Sequence, residues 1–170
     1  MTAFATAWAL MKMPIVPNSL HEIETSPNKD KSWKSLFQDP KTNEILPLYT
    51  NYNTHKNREG EDCHSYSGRI GERGESTGKL SHDDEWNKFG DTRQSITGVH
   101  WVDGYKPPNP AWTETKRDVR GRGYAPALYD VIAYLMSQNQ GMALTPSKEQ
   151  KASAKNMWKE REEWPVRDDL

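Results

Sequence analysis

Between Arg117 and Asp130 the chain reads RDVRGRGYAPALYD. Three arginines and two glycines stand directly before an amphipathic run. Glycine lets backbone amides approach an anion with no Cβ in the way. Arginine adds charge-assisted hydrogen bonds to it. A helix N-terminus contributes unpaired N–H groups and the positive end of its dipole. The chemistry these residue types could do together is anion binding, of phosphate above all. Nucleic-acid contact and a plain strand-to-helix turn are the other two readings of the same stretch.

Such a loop works only if a strand delivers it and a helix follows it. AWTETKRDV, 111–119, alternates Trp112, Glu114 and Lys116 against Thr113, Thr115 and Arg117, which predicts a strand over 112–119. QSITGVHWVDGYK alternates too and predicts its hairpin partner, with PPNP as the stiff turn between them. After the glycines, Leu128, Val131, Ile132 and Leu135 fall at i, i+3, i+4 and i+7, one apolar stripe of a helix over 126–138. Pro126 is tolerated in the first turn, and Gly141 is placed to end the helix. MALT, 142–145, reads as a short buried strand. Ser147 then caps a last helix over 148–162, which Pro165 ends.

Upstream, KSWKSLFQD and EILPLYTNY flank the turn-rich DPKTN and predict a hairpin. Pro47 pushes its second strand toward a sheet edge or a bulge. SLHEIETS alternates loosely, as a strand would. Residues 54–92 are polar and glycine-rich and read as a loop or insertion, with a short strand around Tyr66 and Ile70. Thr2 could cap a helix over 4–12, within an N-terminal arm of 1–18. The whole chain, 1–170, reads as one domain whose core motif region is 94–162, with a charged tail at 163–170 that adds at most one edge strand.

Apolar residues are 34% of the chain, and 23 basic residues face 24 acidic ones, for a net charge of −1. That balance argues against a dedicated nucleic-acid binder. It also argues against wholesale disorder, which pairs low hydrophobicity with high net charge. Seven Trp and seven Tyr supply bulk that the scarce aliphatics do not. Cys63 is alone, so no internal disulfide forms. Phe4 to Met13 is apolar but too short for a membrane span, and lacks the flanks of a signal peptide. A soluble protein of the cytoplasm is expected.

Some look-alikes fail on spacing. GERGESTGK, 71–79, has Arg73 where a phosphate-binding loop needs its first glycine, and Leu80 follows Lys79 where Ser or Thr belongs. His55, Cys63, His64, His82 and Asp83 match no compact zinc pattern, so no metal is expected. As bases, Glu114 on the returning strand and, after it, His100 on its partner are the candidates by placement.

Arg120-Gly121-Arg122-Gly123-Tyr124-Ala125, set between a hairpin's returning strand and an amphipathic helix, resembles the [Gln/Arg]-x-x-Gly-x-[Gly/Ala] motif of the GNAT N-acetyltransferases. The order helix, MALT, helix is also similar to that family, and the last helix resembles those of reduced GNAT-like proteins of tailed phages. The resemblance covers about 94–160. It implies an α/β (α+β) fold, a mainly antiparallel sheet with a helix on each face, and reduced N- and C-terminal parts. It implies that Arg120, Gly121, Arg122, Gly123, Tyr124 and Ala125 hold the pyrophosphate of acetyl-CoA. Val119 on the preceding strand and Thr145 on the next would border the pantetheine arm. The family's general acid is a tyrosine four residues after a small residue on the last helix; here Ala154 is followed at that spacing by Trp158, whose indole N–H is no acid. Two functions are therefore expected. One is a phage-encoded, acetyl-CoA-dependent N-acyltransferase acting on a small-molecule or protein amine in the host cytoplasm. The other is an inactive relative serving as a virion component or a host-protein binder.

Overall fold

The computed structural model describes residues 14–72, 93–104, 108–147, 155, 157–159 and 161–170. Six strands follow one another in the chain: β1 (His21–Ile23), β2 (Lys31–Gln38), β3 (Ile45–Lys56), β4 (Asp62–Ile70), β5 (Ser95–Val102) and β6 (Asn109–Thr115). Each pairs antiparallel with the next, so the sheet order equals the chain order. One long helix follows, α1 (Tyr124–Gln140). The protein is α+β, an open antiparallel sheet with α1 packed on one face.

The helix sits where the sheet is thinnest. Trp33, Thr50, Gly68, Thr97 and Thr113 form one row across β2 to β6 on the helix side. Four of the five are small. A Cβ on Gly68 would stand 3.0 Å from Leu128 and 3.6 Å from Ile132, so its absence sets the depth at which α1 lies. Larger side chains wall both ends of this trough. Phe37, Leu48 and Ile70 lie at one end, with Phe37 4.2 Å ring to ring from Tyr124. Tyr52, Tyr66 and Trp101 lie at the other, where the Tyr66 hydroxyl donates to Gln140 at 2.8 Å. Fully buried Leu128, Val131 and Ile132 of α1 fill the middle. The four-residue stripe seen in the sequence is this contact.

Several expectations are corrected. The segment 54–92 is not a loop throughout: β3 runs to Lys56, and β4 is a nine-residue interior strand paired on both sides. Its alternation of Cys63, Ser65 and Ser67 against His64, Tyr66 and Gly68 lacks aliphatics, so it carries little periodic hydrophobic signal. Pro47 belongs to an interior strand. Its carbonyl accepts from Gly71 N at 2.9 Å, just past the last residue of β4, so its missing N–H falls where β4 has ended. Residues 112–119 are not all strand; β6 ends at Thr115, and 117–119 form one 3-10 turn. MALT forms no strand. Leu144 is fully buried as predicted, but Thr145 N bonds the Pro108 carbonyl and Trp164 N bonds the Leu144 carbonyl, with no ladder. Nor is the tail a strand; Trp164 is a buried plug.

The N-terminal helix over 4–12 and the GERGESTGK loop beyond Glu72 lie outside the described residues, as does most of the helix over 148–162, where 155, 157 and 158 are helical. Among the described residues no helix is long and apolar enough to cross a membrane.

Candidate functional site

The glycine loop is built by backbone conformation. Gly121 and Gly123 both adopt left-handed φ, at +78° and +84°, where a Cβ would be strained. Gly123 is the N-cap of α1, and no side chain caps that end. Pro126 lies in the first turn and Gly141 closes the last at φ 63°, with its N–H on the carbonyls of Met136 and Ser137. Both helix boundaries follow from these residues.

The side chains of the loop are turned to partners within the protein. Arg120 donates from Nε to the Thr115 carbonyl at 2.9 Å, at the end of edge strand β6. Arg122 Nη1 lies 3.2 Å from Asp39 Oδ2, and the Tyr124 hydroxyl donates to that same oxygen at 2.6 Å. The other oxygen of Asp39 accepts from the amides of Lys41 and Thr42 at 2.7 and 3.2 Å. Asp39 is 1% exposed. Burial pushes its carboxyl up, but the hydrogen bonds from Tyr124, from the Lys41 and Thr42 amides and from Arg122 outweigh that and hold it below the ordinary value. The same pair drives the Tyr124 phenol well upward, through burial first and then through the carboxylate it bonds. The loop does hold an anion, and that anion is the turn residue of the β2–β3 hairpin.

The remaining predicted residues are spread out. Val119 is half-buried against the core and bonds the Lys116 carbonyl from its amide. Ala125 is buried in the first turn of α1. Thr145 bonds the Pro108 carbonyl through both its amide and its hydroxyl, at 3.0 Å each. Glu114 pairs with Ile96 on the face away from α1, whereas its neighbour Thr113 bonds Tyr129 of α1. The sheet therefore stands between Glu114 and the helix. His100 is on that outer face too and is exposed. Trp158, where the resemblance places a general acid, is 5% exposed; its ring lies 5.8 Å from Tyr129 and 5.1 Å from Trp164. It is part of the core.

One polar constellation escaped the sequence reading. The Tyr52 hydroxyl lies 2.7 Å from His64 Nδ1, and His64 Nε2 lies 2.7 Å from Asp103 Oδ1. Strand register across β3, β4 and β5 brings together residues 12 and 39 positions apart. Reading β4 as a strand would have put His64 on the helix side with Tyr66 and Gly68. Nothing in the sequence pairs it with Asp103. Among the described residues no group of three or more His, Cys, Asp or Glu is arranged to hold a metal ion. An open cavity of about 570 Å³ lies at the far end of α1 from the glycine loop, between Ser137, Gly141 and Met142 and the tail residues Glu163, Trp164 and Val166.

Compared with known proteins, the chain matches no protein-family profile, no curated protein sequence and no solved structure.

Proposed function

We propose that this chain is a protein-binding or assembly module, of the kind that serves as a phage virion component or a host-protein binder, and that its glycine loop is a structural joint. The observation that carries this reading is Asp39. Its carboxylate already takes the hydroxyl of Tyr124 and the guanidinium of Arg122, two side-chain donors of the loop that would otherwise be free to face a pyrophosphate. Displacing it would leave a 1%-exposed carboxylate without two of its partners, a cost of about 1–3 kcal/mol per lost bond. The core position of Trp158 supports the same reading, since no acid stands where the acyltransferase resemblance needs one. Calorimetric titration with acetyl-CoA tests it. The expected result is no saturable heat at millimolar cofactor. Saturable binding that is lost in Arg120→Glu, an exposed loop position outside the strained glycines, would overturn it.

A second reading is an acetyl-CoA-dependent N-acyltransferase, and one observation favours it. The N-terminus of α1 has no side-chain cap, and no atom beyond its immediate chain neighbours lies within 4 Å of where a Gly121 Cβ would be. Amides at such an end suit an anion. Arg120 to Ala125 would then hold the pyrophosphate, with Val119 and Thr145 beside the pantetheine arm and Glu114 acting on an amine acceptor. The same titration distinguishes the two.

A further inference from the structure

At the end of the sheet beneath the C-terminus of α1, aromatic rings from four strands form a connected series. Trp33 lies 6.1 Å from Tyr66, ring centre to ring centre. Tyr66 lies 5.0 Å from Tyr52 and 6.0 Å from Trp101. Trp101 stacks on His64 at 5.0 Å with 11° between the planes. Trp33, Tyr66 and Trp101 are all buried.

Within this series Tyr52 is bonded to a base. An ionised Asp103 fixes the His64 proton on Nε2, which leaves the Nδ1 lone pair facing the Tyr52 hydroxyl. Tyr66 differs. Its hydroxyl donates to Gln140 and receives from Asn139, and amides do not take up a proton. Both nitrogens of His64 are engaged within the protein, so neither is left to face a substrate directly. Its ring is stacked against Trp101 and Tyr52. Electron transfer is the chemistry that needs no substrate seated here. A phenol is hard to oxidise while it keeps its proton, and a hydrogen-bonded base removes that obstacle.

We propose that Tyr52 is a proton-coupled redox tyrosine, with His64 and Asp103 as its proton acceptor and the Trp33–Tyr66–Trp101 rings as its route for electrons. An external one-electron oxidant, a high-potential metal complex or a peroxide-derived radical, takes one electron from the series. The Tyr52 O–H bond breaks, and its proton moves to His64 Nδ1. The products are a neutral phenoxyl radical and an imidazolium held by Asp103. A one-electron reductant of the thiol or ascorbate class returns the electron, and the proton goes back. In a binding module this leaves the oxidising equivalent on Tyr52, with the imidazolium charge balanced by the exposed Asp103, rather than in the buried rings.

The test is flash-quench oxidation of the full-length protein by photogenerated tris(bipyridine)ruthenium(III), read by electron paramagnetic resonance and transient absorption. Wild type is expected to give a neutral tyrosyl signal that forms more slowly in deuterated water. Tyr52→Phe should lose that signal and His64→Gln should lose most of it, while Tyr49→Phe, on the opposite face of the sheet and bonded to Glu72, should keep it. An undiminished tyrosyl signal in Tyr52→Phe, an equal yield in His64→Gln, or a wild-type rate indifferent to deuterium overturns the proposal. The deuterium comparison needs no variant to fold.

Discussion

Asp130 is a carboxylate in the middle of α1 with no exposed surface. Its Oδ1 accepts from the Trp164 indole at 2.7 Å, and its Oδ2 lies 3.5 Å from the Arg167 guanidinium. Burial dominates. It pushes the carboxyl up from the ordinary 3.8 to about 6, against the pull of Trp164, Arg167 and Arg161. The folded state therefore binds this proton more tightly than the unfolded chain does. The stability it contributes is fully present below pH 3.8 and is lost as pH rises through about 6. Over that window the loss is about 3 kcal/mol, at roughly 1.4 kcal/mol per pH unit. Asp130→Asn keeps an oxygen for the Trp164 N–H and has no charge to bury. Urea denaturation of both proteins across pH 4 to 7 isolates the effect, because Asp39 and Asp169, whose carboxyls are held low, slope the other way equally in both. The variant is expected to gain on wild type steadily as pH rises, by up to about 3 kcal/mol at pH 7. A difference that stays flat with pH, or a variant that falls further behind at pH 7 than at pH 4.5, would refute the reasoning. The second outcome would mean that the Arg167 attraction exceeds the cost of burial.

Asp39→Ala should destabilise the protein by about 2–4 kcal/mol, since it strips partners from Tyr124, Arg122 and two hairpin amides together; thermal unfolding at pH 7 measures it. That contribution should fade as pH falls through the depressed Asp39 value, so the two proteins converge in acid. Gly68→Val should cost about 1–3 kcal/mol by overpacking the trough against Leu128 and Ile132, read as a lowered urea midpoint with unchanged slope. A neutral result there would mean that α1 is not held at the depth the glycine sets.

The acceptor hairpin of Asp39 and the glycine loop show how far local reading reaches. Turn chemistry at DPKTN located the β2–β3 hairpin, and the apolar stripe of α1 located the helix within a turn at each end. Those signals are local, because proline, glycine and periodicity act through the backbone and through one face of one element. β4 was only half legible. It is an interior strand whose helix side reads His64, Tyr66, Gly68 and Ile70, and its burial comes from neighbours rather than from aliphatic content.

What the residues by themselves determined is conformation: two left-handed glycines, an uncapped helix start, a glycine helix stop, and a chain too balanced in charge to be read as a nucleic-acid binder. What only the tertiary structure decided is partnership. Arg122 and Tyr124 suit any anion, and the fold chose Asp39, 83 and 85 residues away in the chain. Tyr52, His64 and Asp103 are unremarkable until three strands align in register. Trp158 stands where a resemblance suggests an acid, and packing made it a wall of the core. The reason is common to all three. Side-chain chemistry is a capacity fixed by residue type, but whether it is used depends on which groups burial brings within hydrogen-bond reach, and that distance is set by the register of the sheet and the depth of the helix upon it.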